Sequence, residues 1–467
     1  MFAYDLTSTP GGALYERLTA CIRRDIGAGR LPAGTRLPSK RQAAADLGVS
    51  VVTVMGAYDQ LLAEGYIVSR PRRGYYVADV ASDTLPAAPR AVPAAPRSAE
   101  TRAEPAPVFD LAGNTVPRGL FPFTAWSRLS RRVYADLGDR LMERVPYNGL
   151  PALREAIAAG LLGSRGIRTD ADCVLISAGN EWMYAQCLSF LGRERVYGVE
   201  DPGYPLIARL YRENGAVVKT LPMDGAGVMP SALEASGTEV LHISPNHHFP
   251  TGVVMPIGRR QELLAWLAAD SRRIIIEDDY DSEFRLSGRP IPSLQSMDRT
   301  GRVIYINTFT KTVAPSLRVG YGVLSPAMAE AYRARFGFLS CPVAVPEQYM
   351  LAAFLADGSL TRHVDRVRTR CRAVRDALLE ALAASPRRER FTVSRADGGL
   401  FFLLRIETDL SDGELCRAAG AAGIRVRSLG DYCAVPPSAD THTLLINYAG
   451  LSAADAPALV RRLDTVG

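Results

Sequence analysis

Three regimes of hydrophobic patterning succeed one another along the 467 residues. In the first, apolar side chains recur at helical spacing and then alternate. Leu14, Leu18, Cys21, Ile22 and Ile26 share one helical face in "ALYERLTACIRRDIGAG". Ser39, with Gln42 three residues on, makes a capping box that opens a short helix ending at Gly48. Ser50 is a suitable N-cap for a third helix carrying Val54, Tyr58, Leu61 and Leu62 on its apolar face. "YIVS" and "YYVA", joined by "RPRRG", alternate as a β-hairpin does.

The second regime has almost nothing to bury. "DTLPAAPRAVPAAPRSAETRAEPAP" is built from Pro, Ala, Arg, Ser and Glu and predicts an extended linker over 81–108. In the third, short β-branched runs alternate with helical stretches, which implies a mostly parallel α/β sheet. The expected division is therefore 1–80, the linker 81–108, a large lobe with an N-terminal arm over 109–340, and a smaller lobe over 341–467.

Helix, short helix, turn, helix, hairpin is the order of a winged helix-turn-helix. The net charge of +6 is too modest to argue for nucleic acid, but its placement does. Arg36, Lys40, Arg41, Arg70, Arg72 and Arg73 gather at the start of the second helix and on the hairpin tip. Those parts would straddle a phosphate backbone while the helix from Ser50 through Thr53 to Tyr58 enters the major groove. A small helical bundle with a solvated basic rim is the bland alternative, and a tip of Arg-Pro-Arg-Arg-Gly is hard to assign to solubility. The stretch "GTRLPSKRQAAADLGVSVVTVMGAYDQLLAEGYIVSRPRRGYYV" resembles the GntR family of bacterial transcription regulators. The resemblance implies double-stranded DNA as partner and adds Ser39 to the contact residues. That family often has a basic residue after the serine that opens the recognition helix; here it is Val51.

Seven scattered cysteines with no C-x-x-C pair argue against a disulfide scaffold or structural zinc and fit a reducing cytoplasm. "MFAYDLTSTPGG" lacks the apolar core of a secretory signal, and no apolar run reaches membrane-spanning length. Arginine supplies nearly all positive charge; the only lysines are Lys40, Lys219 and Lys311. The two cations differ where an amine must lose its proton and attack a carbonyl.

Lys311 lies in "NTFTKTVAPSLRVGY", after a strand, just past the hydroxyls of Thr308 and Thr310 and seven residues ahead of Arg318. A lysine on a loop there suits a phosphorylated aldehyde, with hydroxyl and guanidinium on the phosphate. Upstream, "RRIIIEDDYDSEF" runs a buried strand into four carboxylates, which cannot all be buried ionised without partners. Either they hold a metal, with Glu283, His247 and His248 in reach, or one of them pairs with a cationic ligand; no motif supports the metal. "CVLISAGNEWMYAQCLSFLG" gives a strand, a glycine turn and a helix whose first N–H groups can cup a phosphate. "EDPGYPLIARLY" presents Tyr204 from a rigid turn.

Together these motifs resemble fold-type I pyridoxal-phosphate (PLP) enzymes of the aspartate aminotransferase type, over about residues 110–467. The resemblance implies a large mostly parallel α/β domain and a smaller C-terminal α+β domain. It makes Lys311 the Schiff-base lysine and Asp278 the partner of the pyridine nitrogen. Tyr280 would sit by the ring hydroxyl and Tyr204 on the ring face. Gly179, Asn180, Glu181, Thr308 and Arg318 would surround the phosphate. No metal is expected.

A GntR-type winged helix ahead of such a body resembles the MocR subgroup, on "HHFPTG", "EDDYDSEFR" and "TFTKTVAPSLRVGY". That likeness implies a head-to-tail homodimer. PLP, alone or joined to a small amino compound, would be the sensed effector, with vitamin B6 synthesis or amino-compound metabolism under control. Three departures weigh against an efficient transaminase. Phe249-Pro250-Thr251-Gly252 replaces the enzymes' Asn-Pro-x-Gly, and Glu181 faces the phosphate. In "TLLINYAGL", Leu445 stands where amino-acid aminotransferases carry the arginine that clamps the substrate carboxylate. A working aminotransferase that also binds DNA is the alternative.

Overall fold

The computed structural model describes Tyr4, Leu6 and residues 12–79, 107–113, 119–286 and 291–466. Most of the expected linker thus lies outside the described residues. The chain divides into two units, Met1–Glu104 and Pro105–Gly467.

The first unit contains α1 (Leu14–Gly27), α2 (Lys40–Leu47), α3 (Val51–Ala63) and an antiparallel hairpin of β1 (Ile67–Arg70) and β2 (Gly74–Val77). Ser39 Oγ accepts the Gln42 N–H at 3.2 Å, which starts α2. Only this half of the expected capping box forms, because the Gln42 amide reaches forward to Asp46, one turn along the same face, at 2.8 Å. Gly48 ends the helix in the left-handed region, φ 63°, where a β-carbon would be strained. Ser50 Oγ then accepts the Thr53 N–H at 3.0 Å and starts α3. Leu18, Ile22, Val54, Leu61, Ile67 and Val77 make the core, whereas Leu14, the first residue of α1, stays 44% exposed. Tyr58 is fully buried in that core, and its hydroxyl donates to Pro38 O at 3.0 Å. It holds the entry to α2 against α3 and is not a DNA contact, contrary to the expectation from sequence.

In the second unit, β3 (Phe109–Asp110) precedes an eight-stranded sheet. Its strands are β4 (Val174–Ser177), β5 (Val196–Asp201), β6 (Val217–Asp224), β7 (Gly227–Val228), β8 (Val240–Ile243), β9 (Ile274–Asp278), β10 (Val303–Thr308) and β11 (Gly320–Val323). The spatial order is β4-β11-β10-β9-β8-β5-β6-β7. The run β6-β5-β8-β9-β10 is parallel, and β11 lies antiparallel between β10 and β4. Every residue of β8, β9 and β10 is buried, as expected for strands covered on both faces. The registers Ile306↔Asp278 and Ile243↔Glu277 bring the carboxyl ends of these strands level. That edge is where open α/β sheets bind ligands.

The smaller lobe is an antiparallel sheet, β12-β13-β16-β15, made from β12 (Phe391–Ser394), β13 (Phe401–Ile406), β15 (Arg427–Ser428) and β16 (Thr443–Asn447). β14 (Ile424–Arg425) pairs in parallel with β3. The packing differs from the division expected at 340/341. Phe109 and Leu111 lie in the core of the smaller lobe. Leu351 and Phe354, from the helix Val345–Ala356, lie in the larger. Apolar burial, rather than position along the chain, assigns these segments, and the passage between lobes runs along the helix Ser359–Ala383.

Candidate functional site

The four carboxylates at the end of β9 take four separate sets of partners, because successive side chains leave a strand on opposite faces. Glu277 accepts the N–H groups of Leu294 and Gln295, both at 2.8 Å. Asp279 pairs with Arg165 at 2.7 Å and accepts the Tyr305 hydroxyl at 2.6 Å. Asp281 lies 2.8 Å from His247 Nδ1. Asp278 alone faces the cleft, its oxygens held by Asn180 Nδ2 at 3.0 Å and the Tyr184 hydroxyl at 2.5 Å. His242 Nε2 stands 3.8 Å from it, and Tyr211 bonds the other nitrogen of that ring at 2.8 Å. A buried carboxylate held by neutral donors is poised to bind a cation. Among the described residues no group of three or more His, Cys, Asp or Glu is arranged to hold a metal.

The cleft encloses about 970 Å³, including space open to solvent, over the carboxyl ends of β5, β8, β9 and β10. Lys311 enters its floor from the one-turn helix Phe309–Thr312 rather than from a loop. Thr308 Oγ1 caps that helix by accepting the Thr310 N–H at 3.1 Å. Burial lowers the Lys311 amine to about 8, against an upward pull from Asp281.

Opposite lies a site for an anion. Gly179 adopts φ 87° ahead of the helix Asn180–Leu191, and a β-carbon there would stand 3.0 Å from Arg318 Nη2. The missing side chain lets the guanidinium close over the helix N-terminus. Glu181 is not turned away: its carboxylate bonds Arg318 at 3.0 Å. Asn180 begins that helix and lines the cleft, its N–H left for an anion while its side-chain amide serves Asp278. Tyr204 lines the cleft, 39% exposed, edge-on to Phe249 with centroids 5.8 Å apart. Tyr280 also lines it, its hydroxyl 3.4 Å from His247 Nδ1.

The residues that the motifs did not single out are Tyr184, His242 and Glu200, and His248, weighed there as a metal ligand, has another place. His248 Nε2 lies 3.3 Å from Glu200 in the cleft wall, and its Nδ1 bonds Thr251 Oγ1 at 2.7 Å. Burial raises the Glu200 carboxyl to about 8 and lowers His248 to about 3. The two are therefore uncharged neighbours at neutral pH. Position at a strand end was the available signal for Glu200 and His242; for Tyr184, one helical turn after Asn180, it was the shared face. Leu445, at the arginine position, is buried in an apolar cluster with Phe249, Phe401, Leu403 and Tyr432.

Pyridoxal phosphate needs an anion cup, a carboxylate for its ring nitrogen and an amine of lowered basicity for its carbonyl. The N-terminus at Gly179 with Arg318, the fixed carboxylate of Asp278 and the buried amine of Lys311 meet these needs.

In the first unit Arg36, Arg41, Arg70, Arg72 and Arg73 are exposed as expected, with Arg72 at the hairpin tip in the left-handed region, φ 60°. Lys40 is instead paired with Asp59 at 3.2 Å. Ser39 and Ser50 are spent as helix caps. Ser50 Oγ also lies 2.9 Å from Thr53 Oγ1.

Residues 14–77 match the family described as bacterial regulatory proteins, gntR family, and residues 106–463 match aminotransferase class I and II. The chain is 35% identical to the uncharacterized HTH-type transcriptional regulator YhdI of Bacillus subtilis, over 97% of this chain and 95% of that one. It is 32% identical to the probable rhizopine catabolism regulatory protein MocR of Rhizobium meliloti, over 94% and 90%. To the pyridoxine biosynthesis regulator PdxR of Corynebacterium glutamicum it is 30% identical, over 89% and 88%. Among solved structures, the α-aminoadipate aminotransferase of Thermus thermophilus superposes with a TM-score of 0.65 at 25% identity, covering 76% of this chain and 90% of that one. Among the described residues no helix is long and apolar enough to cross a membrane.

Proposed function

The chain belongs to the GntR family in its MocR arrangement, a DNA-binding winged helix ahead of a PLP-binding aminotransferase-like body, and from that premise we propose that the body senses. The sensed species is PLP, alone or joined to an amino compound, and the response is altered binding of DNA by a cytoplasmic, head-to-tail homodimer. Vitamin B6 supply or amino-compound metabolism is the process under control.

One observation carries this reading. The groups that would capture an amine-reactive carbonyl line one cleft, Lys311 among them, while the position where a guanidinium would clamp a carboxylate is Leu445, buried in an apolar cluster with the cleft-lining Phe249. PLP supplies an aldehyde that reacts reversibly with primary amines. Around it Lys311 offers an amine that is partly unprotonated at neutral pH. Asp278 holds the charge of a ring nitrogen, and Gly179 and Arg318 hold a phosphate. Tyr204 and Tyr280 line the cleft where a flat ring would lie. The lost clamp removes orientation that turnover of an amino acid needs, a loss on the order of a hundredfold in rate for a misplacement of about 1 Å. Capture without fast turnover is what a receptor requires.

The test is fluorescence anisotropy on the DNA upstream of the protein's own gene, at fixed salt, with cofactor-free protein and after adding PLP. The expected result is a change in affinity or stoichiometry that Lys311→Ala abolishes. Lys311→Ala protein that responds like the unsubstituted chain would overturn the proposal. Sustained transamination of an amino donor and a keto acid would favour the enzyme reading instead.

A further inference from the structure

The recognition helix of this protein has an unusual surface for a base reader. α3 carries no Lys, Arg or Asn, and its one charged residue, Asp59, is bonded to Lys40 at 3.2 Å. Its hydroxyls are engaged: Ser50 Oγ accepts the Thr53 N–H, and the two side-chain oxygens lie 2.9 Å apart. Gln60, near the far end, donates to Glu64 at 2.6 Å. What the first turn and a half of α3 presents outward is Val51, Val52 and Met55, 44%, 69% and 41% exposed. These three lie away from the buried face of Val54, Ala57, Tyr58 and Leu61. Exposed arginines flank them, Arg36 and Arg41 beside α2 and Arg70, Arg72 and Arg73 on the wing.

A cationic rim around an apolar tip matches one feature of a DNA duplex. Phosphates border the major groove, and the one apolar group that base pairs display there is the C5-methyl of thymine. Guanine is ordinarily read by bidentate Arg or Lys, and adenine by Asn or Gln; the first two turns of α3 have none of these. We infer that Val51, Val52 and Met55 determine sequence specificity by packing on thymine methyl groups, so that the operator half-site is defined by thymines at the positions facing the start of α3. Contacts of the arginines with phosphates position the protein on the backbone and carry no sequence information directly. This inference rests on the reading of the first unit as DNA-binding, and the experiment separates the two.

Full-length protein with PLP is used to select its preferred duplex from a randomised pool at fixed salt. Each thymine in the selected site is then replaced singly by deoxyuridine, which removes a methyl and nothing else. One or two such replacements per half-site should each weaken binding about fourfold, the worth of about 0.8 kcal/mol for one buried carbon. In Val52→Ala or Met55→Ala protein the same replacement should have less effect, because the contact is already gone. Both side chains are exposed, so the variants keep the core of the unit. Uniform affinity for every deoxyuridine duplex overturns the inference and leaves the regulator reading standing. So does a methyl effect unchanged in both variants. Failure to bind any duplex above the non-specific level overturns both.

Discussion

Substituting Asp281 by asparagine separates the two forces on Lys311. Burial lowers its amine to about 8, and the Asp281 carboxylate pulls in the opposite direction; an unperturbed lysine titrates near 10.4. At pH 7.4 an amine of pKa about 8 is roughly 20% unprotonated, against roughly 0.1% for an ordinary lysine, a gain of about 200-fold in nucleophile. Removing the Asp281 charge leaves desolvation unopposed, so the pKa falls below 8 and the neutral fraction rises. The sign is what matters: a carboxylate lost from beside a buried amine makes that amine more reactive at neutral pH.

The composition of the chain makes this measurable. With lysines only at 40, 219 and 311, cofactor-free protein treated with an amine-acylating reagent gives three separable peptides. The acylation rate of each is followed by mass spectrometry from pH 6 to 11. Lys311 should level off just above pH 8. Lys40 should keep rising beyond the ordinary lysine value, because bonding to Tyr75 and Asp59 outweighs its own partial burial. Asp281→Asn should move the Lys311 break to lower pH. His247→Gln, which removes the imidazole bonded to Asp281, controls for lost contact as opposed to lost charge. A Lys311 break above pH 10, or an upward shift in Asp281→Asn, would refute the reasoning.

Two further substitutions test the framework. Arg165→Met strands Asp279 and Glu283, the first at 1% side-chain exposure, and should cost about 3–5 kcal/mol at pH 8, read from urea midpoints. Burial already holds Glu283 above the ordinary carboxylate range. The deficit should therefore shrink as pH falls towards 5 and the stranded acids take up protons, and Asp279→Asn should restore part of it; a deficit indifferent to pH would count against the pairing. Tyr58→Ala should cost about 3–5 kcal/mol in the winged helix, while Tyr58→Phe loses only the bond to Pro38, about 1 kcal/mol, and binds DNA normally. Weakened DNA binding by a fully stable Tyr58→Phe protein would restore the tyrosine to the interface.

Local rules carried the sequence reading furthest where function and element boundary coincide. Ser39, Gly48 and Ser50 mark the helices of the winged unit because capping and left-handed turns are decided within a few residues. Lys311 and Gly179 sit just past the end of a strand, Asp278 is the last residue of β9 and Arg318 stands just ahead of the antiparallel β11, so all four line or border the same cleft where the register levels those ends. What failed was three-dimensional. Tyr58 lies both on the apolar face of α3 and in the stretch expected to meet DNA, and only packing decides that it belongs to the core. Asn180 was assigned to a phosphate by position, and nothing local shows that its side-chain amide also serves Asp278, ninety-eight residues on. Glu200 and His248 lie in two quoted stretches far apart in the chain, and neither stretch reveals that burial leaves both uncharged. The lobe boundary was missed for a similar reason: Phe109 finds its core across the chain, beside Ile424.

The proposed sensing role sets different demands on this cleft than transamination does. At the amine end every charge is accounted for. Lys311 is kept partly neutral by burial, Asp278 is fixed by Asn180 and Tyr184, and the Glu200–His248 pair contributes no net charge to compete with Asp278 for a cation. In the cleft wall Phe249 packs edge to face on Phe401 and Tyr432, with Leu445 in the same apolar cluster, and these side chains offer a carboxylate nothing but desolvation. Burying an ionised carboxylate without a partner costs far more than an apolar contact returns. An α-amino acid is therefore penalised at the point where a transaminase must hold it, while a ligand with an uncharged tail, or PLP alone, is not. The smaller lobe supplies three of those four side chains, from β13, β16 and the turn after β15, and the larger lobe supplies Phe249. A ligand that fills or empties the space between them acts on the contact between the lobes. That contact is where occupancy of the cleft can be converted into a change of shape.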